Sequence, residues 1–156
     1  MPRPFTRPAS IRRHGTPPAD DRNYHHRPGV YAILPRDGEL LVTWQGAPHE
    51  ELQLPGGGID PGESPVTALH REVYEETGWK IAAPRRLGAF RRFVWMPEYE
   101  IHAEKVCHVY LARPVHPLGP PTEPAHEAVW IDPATAAEML GNAGDRAFVA
   151  GLLRAG

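Results

Sequence analysis

Apolar positions follow two rhythms along this chain. Val30–Leu34 and Leu40–Trp44 are short, nearly continuous apolar runs, suited to strands buried on both faces. The turn between them, Arg36-Asp37-Gly38-Glu39, is short enough to predict that the two runs pair antiparallel. Leu52–Leu54 predicts a brief strand, and Ile81–Pro84 a short strand or linker. Arg86–Trp95 and Ile101–Leu111 predict two strands joined at Met96-Pro97-Glu98. In the second of these, Ile101, Ala103, Cys107, Val109 and Leu111 share an apolar face that Lys105 interrupts. His102, Glu104, His108 and Tyr110 share the other face, which suits a cleft wall, a zinc site or solvent. Ala128–Ile131 predicts a last strand.

The spacing becomes helical between Pro65 and Thr77, where Val66, Leu69 and Val73 make an apolar stripe. Ser64 suits the N-cap, Pro65 the first helical position and Gly78 a left-handed stop. Asp132-Pro133 opens a second helix running to Leu140, with Gly141 ending it. Asp145–Arg154 is a final amphipathic helix predicted to bury Phe148, Val149, Leu152 and Leu153.

Two stretches keep neither rhythm. Residues 1–28 carry Pro2, Pro4, Pro8, Pro17, Pro18 and Pro28 among Arg3, Arg7, Arg12 and Arg13, with no acidic residue before Asp20. They predict an extended arm ahead of a domain spanning 29–156, either flexible or contacting a substrate phosphate or a second subunit. Residues 112–126 carry five prolines and predict a long stiff loop. The length, 156 residues, fits one domain with a real core. A formal net charge of −2 argues against a dedicated nucleic-acid binder, so no DNA partner is expected. Cys107 is the only cysteine, which excludes an intramolecular disulfide. With no run of 18 apolar residues and no secretory core, no membrane association is expected, and a reducing cytoplasm is the expected compartment.

The candidate chemistry lies in residues 55–79. Gly56-Gly57-Gly58 lets backbone groups approach a ligand closely. On the helix that follows, residues step by about 100°, so Glu72, Glu75 and Glu76 fall within one arc. Glu72 and Glu76 are a like-charge i,i+4 pair, which costs an isolated helix a few tenths of a kcal/mol. Three clustered carboxylates suit Mg²⁺ or Mn²⁺, and Mg²⁺ usually takes a phosphate as a further ligand. The simpler reading is a solvated acidic face with an Arg71–Glu75 ion pair.

The spacing of the whole stretch distinguishes the two. Gly57, five residues, Glu63, seven residues, Arg71-Glu72-Val73, one residue, Glu75-Glu76, one residue, Gly78-Trp79 matches the Nudix box at every specified position. The chain therefore resembles a Nudix hydrolase of the MutT-like kind. The resemblance implies an α/β/α sandwich around a mixed sheet. It implies Mg²⁺-dependent hydrolysis of a diphosphate linkage in a small nucleotide, such as a nucleoside triphosphate, a nucleotide sugar or an ADP-ribose-like compound. Position by position, it makes Glu72, Glu75 and Glu76 metal ligands with the Gly56 carbonyl, and Glu72 or Glu75 a base. Glu63 and Arg71 hold loop and helix in register, alongside Gly57 and Gly78. Many members add a carboxylate from a later loop, for which Glu127 is the first candidate and Glu123 the second. Family members are often homodimers.

The resemblance narrows the substrate little. Residues 40–54 contain no arginine of the kind found in coenzyme A hydrolases. Gly56-Gly57 in place of Gln-Gly weakly disfavours the dinucleoside polyphosphate and RNA pyrophosphohydrolase group. The alternative from another class is a nucleotide-binding sensor of the same fold. Such proteins usually lose box carboxylates, and here all are present.

Overall fold

The computed structural model describes residues 11–155, so the first ten residues of the predicted arm lie outside it. Two sheets form the middle layer. The first contains β1 (Arg12–Arg13), β2 (His25–Ile33), β6 (Gly56–Gly58), β7 (Trp79–Met96) and β8 (Ile101–Pro117), in the order β1-β7-β8-β2-β6. β2 runs parallel to β8 and β1 parallel to β7, while the other neighbours are antiparallel, so this sheet is mixed. The second sheet joins β3 (Pro35–Arg36), β4 (Glu39–Gln45), β5 (Glu51–Gln53) and β9 (His126–Ile131). Helix α1 (Pro65–Thr77) covers one face, and α2 (Pro133–Met139) and α3 (Ala143–Ala155) cover the other.

Strand alternation builds both cores at once. Val30 and Ala32 of β2, with Tyr110 and Ala112 of β8, pack against Ala68, Leu69 and Val73 of α1. The intervening Ile33, Cys107 and Val109 pack against Ala136, Leu140 and Val149 of the other helices. The result is the three-layer α/β/α arrangement with a mixed sheet.

Several elements depart from expectation. The runs 30–34 and 40–44 do not form one hairpin. β2 is already flanked by β8 and β6, so the chain leaves that sheet at Leu34 and the two-residue β3 pairs with β4 instead. β2 begins at His25, because β8 offers a continuous parallel ladder from His25 to Ile33. The expected boundary at residues 28/29 therefore falls inside a strand, and Arg12–Arg13 of the arm edge the sheet beside Phe90–Arg91. The long loop at 112–126 is shorter than expected, since β8 continues to Pro117. The stripe on α1 is shifted: Val66 is exposed, and Ala68 takes its place beside Leu69 and Val73. On α3, Val149 is buried but Leu153 is exposed.

Candidate active site

The acidic helix starts and stops where its caps dictate. The Ser64 hydroxyl accepts from the Thr67 N–H, Pro65 occupies the first turn, and Gly78 takes φ 76° while its N–H donates to the Tyr74 carbonyl. These caps fix the rotation of α1, and its carboxylates meet the glycine strand β6. Gly56 has no room for a side chain, because a Cβ there would collide with the Val30 carbonyl and lie 2.7 Å from Tyr31 Cα. At Gly57 a Cβ would lie 2.6 Å from the Glu72 carboxylate. Bare backbone therefore lets Glu72 and Glu76 press against β6.

Arg71 organises the outer part of the cluster. Its Nε and Nη2 grip both oxygens of Glu63 at 2.8 and 2.9 Å. Nη2 also donates to the Gly58 carbonyl at 3.1 Å, while Nη1 donates to Glu72 at 3.0 Å and Glu75 at 3.3 Å. The paired hydrogen bonds from Arg71, helped by the Asp60 N–H, hold the Glu63 carboxyl down to about 2. This one guanidinium ties the glycine strand, the turn at 60–63 and helix α1 together.

Glu76 lies deeper, 6% exposed. Its Oε1 accepts from the Gly56 N–H at 3.1 Å, and its Oε2 stands 3.7 Å from His126 Nε2. The other imidazole nitrogen meets the Thr43 hydroxyl at 2.9 Å. Burial, reinforced by the charges of Glu72, Glu123 and Glu75, raises the Glu76 carboxyl well above its ordinary value. Burial raises Glu72 in the same way and lowers the imidazole of His126. A cation among these oxygens relieves both carboxylates, and oxygen donors suit Mg²⁺ or Mn²⁺. Among the described residues no three His, Cys, Asp or Glu side chains converge tightly enough to hold a metal ion as they stand, the zinc alternative on β8 included. Arg71 holds Glu72 and Glu75 on its own side, and Glu76 is turned to Gly56 and His126. The donor types fit a hard divalent ion.

The two loop carboxylates separate. The segment after β8 is pinned to the end of α1: Leu118 N–H donates to the Gly78 carbonyl, and the Thr122 and Glu123 N–H groups both donate to the Glu75 carbonyl at 2.9 and 2.8 Å. Glu123 thereby reaches the acidic cluster. Glu127, the first-choice loop carboxylate, is exposed and lies outside the cleft lining. The reason is strand parity. His126 points at Glu76, so the next residue of β9 points the opposite way.

The acidic cluster forms one wall of a cleft of about 1310 Å³. Arg27, Arg92, Lys105 and the exposed aromatics Trp95 and Tyr99 line other parts of it. His126, Thr43 and these cations were not singled out from sequence. The only sign of Lys105 was the break it makes in an apolar alternation, and His126 carried none.

The family described as NUDIX domain matches residues 24–152. Among curated proteins, the chain is similar to RNA pyrophosphohydrolases of Photorhabdus laumondii (44% identical over 75 residues) and Yersinia enterocolitica (37% over 75 residues). Each of these matches covers 48% of this chain and 42% of the relative, so the chain spans less than half the length of the curated relatives it matches. Among solved structures, it is similar to a MutT NUDIX hydrolase of Burkholderia pseudomallei (28% identity, TM-score 0.59, 70% of this chain and 85% of that one). It also shares its fold with a MutT protein of Methanosarcina mazei (23% identity, TM-score 0.66, 85% and 96%).

Proposed function

From the premise that the chain belongs to the NUDIX domain family, we propose that it is a Mg²⁺-dependent hydrolase of a diphosphate linkage in a nucleoside diphosphate derivative. The observation that carries this reading is a pair of carboxylates, the partly buried Glu72 and the buried Glu76, pressed against side-chain-free backbone at the wall of a large cleft. Buried carboxylates with raised pKa values cost stability in the metal-free protein, and a divalent ion and a diphosphate offset that cost together. The names of the curated relatives, RNA pyrophosphohydrolases, agree with a diphosphate linkage as the bond cleaved.

Glu72, Glu75 and Glu76 would hold the ion, with the Gly56 carbonyl as a further donor. Bound there, the ion supplies charge neutralisation for the diphosphate and a bound water of lowered pKa. The chain's own groups do the rest. Arg71 keeps the helix and the 58–63 turn in register through Glu63. The Gly56 N–H and His126 fix the direction of the Glu76 carboxylate. Glu123, which lines the cleft where Glu127 does not, would be the loop carboxylate that accepts the proton of the attacking water, a contribution of ~10²–10⁴-fold. Glu72 or Glu75 is the other candidate for that proton.

The test is cleavage of a panel of nucleoside triphosphates, nucleotide sugars, ADP-ribose, dinucleoside polyphosphates and triphosphorylated RNA, with and without Mg²⁺. Glu76→Gln is the matched control. Mg²⁺-dependent cleavage of one class, lost in the control, is the expected result. Tight nucleotide binding with no cleavage of any member would overturn it in favour of a sensor.

A further inference from the structure

Three neighbouring strands place a cation at one level on one face. Lys105 of β8 is the register partner of Arg27 on β2 and of Arg92 on β7. Register partners project to the same side of a sheet, and all three residues line the cleft. Like charges directly opposite each other destabilise a sheet. Folding alone therefore gives no reason for the row.

The row is also poorly compensated from within. Among the described residues, none of the three forms an ion pair with a carboxylate within 4.0 Å; the ion pairs of that length involve Arg36, Arg71 and two histidines. Arg27 stacks its guanidinium 4.6 Å from the centre of the Tyr99 ring, and Lys105 stands 5.7 Å from that of Tyr31. Arg92 Nε is buried and meets no hydrogen-bond partner. Asp145 is buried within electrostatic reach of Arg92 and Lys105, and its Oδ1 is likewise unpartnered. Lys105 is raised above the ordinary lysine value, chiefly through the neighbouring Tyr31 and against the effect of burial.

We propose that Arg27, Lys105 and Arg92 form a subsite for a phosphate group of the substrate other than the phosphates held at the acidic cluster. Lys105 lies two strands from β6, about 10 Å across the sheet at the usual spacing of 4.7–4.9 Å per strand. The substrate class is then a nucleoside diphosphate derivative that carries a further phosphate on its far side. Two guanidinium groups and an ammonium suit a phosphate better than a neutral sugar or base. The inference rests on reading the cleft as a nucleotide diphosphate site.

The experiment is thermal unfolding of the full chain in EDTA, titrated with inorganic phosphate. EDTA removes divalent ions, so the acidic cluster can only repel the probe. The wild type should gain Tm in proportion to log phosphate at millimolar concentrations. Lys105→Met and Arg27→Gln should each abolish most of that gain, and Lys105→Met should also raise the phosphate-free Tm by relieving like-charge contacts. Arg27 lies on a different strand from Lys105 and is partly exposed, so its variant serves if Lys105→Met does not fold. Asp145→Asn should tighten phosphate binding several-fold. Arg85→Gln, an exposed cation outside the cleft lining, should change nothing. No phosphate-dependent gain in the wild type, or a gain untouched in the row variants, would overturn the subsite.

A second arm locates the phosphate. A nucleoside 5′-triphosphate carries it along the chain, and a nucleoside 3′,5′-bisphosphate carries it on the sugar. Either one binding more tightly than the 5′-diphosphate supports the subsite, while equal binding of all three contradicts it. Because no turnover is read, phosphate binding without any hydrolysis in the substrate panel would overturn the enzyme reading and leave this one standing.

Discussion

Glu123 and Glu127 differ in what anchors them, and the anchor decides which can act. Glu123 is held by its own N–H on the Glu75 carbonyl; Glu127 sits on β9 opposite Trp44 with its side chain turned to solvent. Glu123→Gln should lower kcat by ~10²-fold or more if it accepts the water's proton, and Glu127→Gln should leave kcat within twofold. Steady-state rates at saturating Mg²⁺ decide, and equal effects of the two would remove Glu123 from the proton-transfer role. Gly57→Ala makes a different point, because the new methyl lands on the Glu72 carboxylate. It should weaken Mg²⁺ affinity, read by isothermal titration, while the far-UV spectrum stays unchanged. The residues of the box were legible because their spacing is itself the signal. His126 was not, because its role comes from the pairing of β9 with β4, which brings its ring to the Thr43 hydroxyl 83 residues away in sequence.

At the scale of elements, α1 was legible to the residue, since Ser64, Pro65 and Gly78 set its ends by local geometry. Pro114 and Pro117 look like breakers, so the sequence predicts a shorter strand than the observed β8. They are tolerated because β2 leaves β8 at Leu111, so beyond that point the outer edge needs no N–H donors. Val66 differs for a simpler reason, since the buried face of α1 runs through Ala68, Leu69 and Val73 and leaves Val66 exposed. The stop at Gly78 has a second duty. Its carbonyl receives Leu118, and a methyl at this position would collide with the Gly119 carbonyl. Gly78→Ala should therefore cost more than the ~1 kcal/mol of an ordinary left-handed stop and free the 118–123 segment as well. The check is a paired measurement: Tm falls, and kcat falls by more than partial unfolding accounts for. A loss of Tm with kcat intact would show that the segment keeps Glu123 in place without this contact.

At the scale of the molecule, the cleft costs the fold stability, and the cost depends on pH. Asp145 sits at the foot of α3, 2% exposed, and burial raises its carboxyl to about 6 from 3.8, against the pull of Arg92 and Lys105 and the amide of Asn142. The folded state thus holds a proton that the unfolded state has released between pH ~4 and ~6, so stability falls as pH rises through that window. A shift of about two units corresponds to ~3 kcal/mol at pH 7. Glu72 and Glu76 act in the same direction, whereas His14, His108 and His126, lowered chiefly by burial, favour the neutral side. Comparing wild type with Asp145→Asn cancels those other groups. The variant should match the wild type near pH 4 and exceed it increasingly up to pH ~6, by ~6–12 °C in Tm for a chain of this size. A difference that is flat across pH 4–8 would mean that the carboxyl is no harder to ionise in the fold than in the unfolded chain. None of this was visible in the sequence, where Asp145 reads as an ordinary acidic residue in the first turn of a helix. Its neighbours come from β7 and β8, and only the assembled sheet brings two cations and a buried carboxyl to the floor of one cleft.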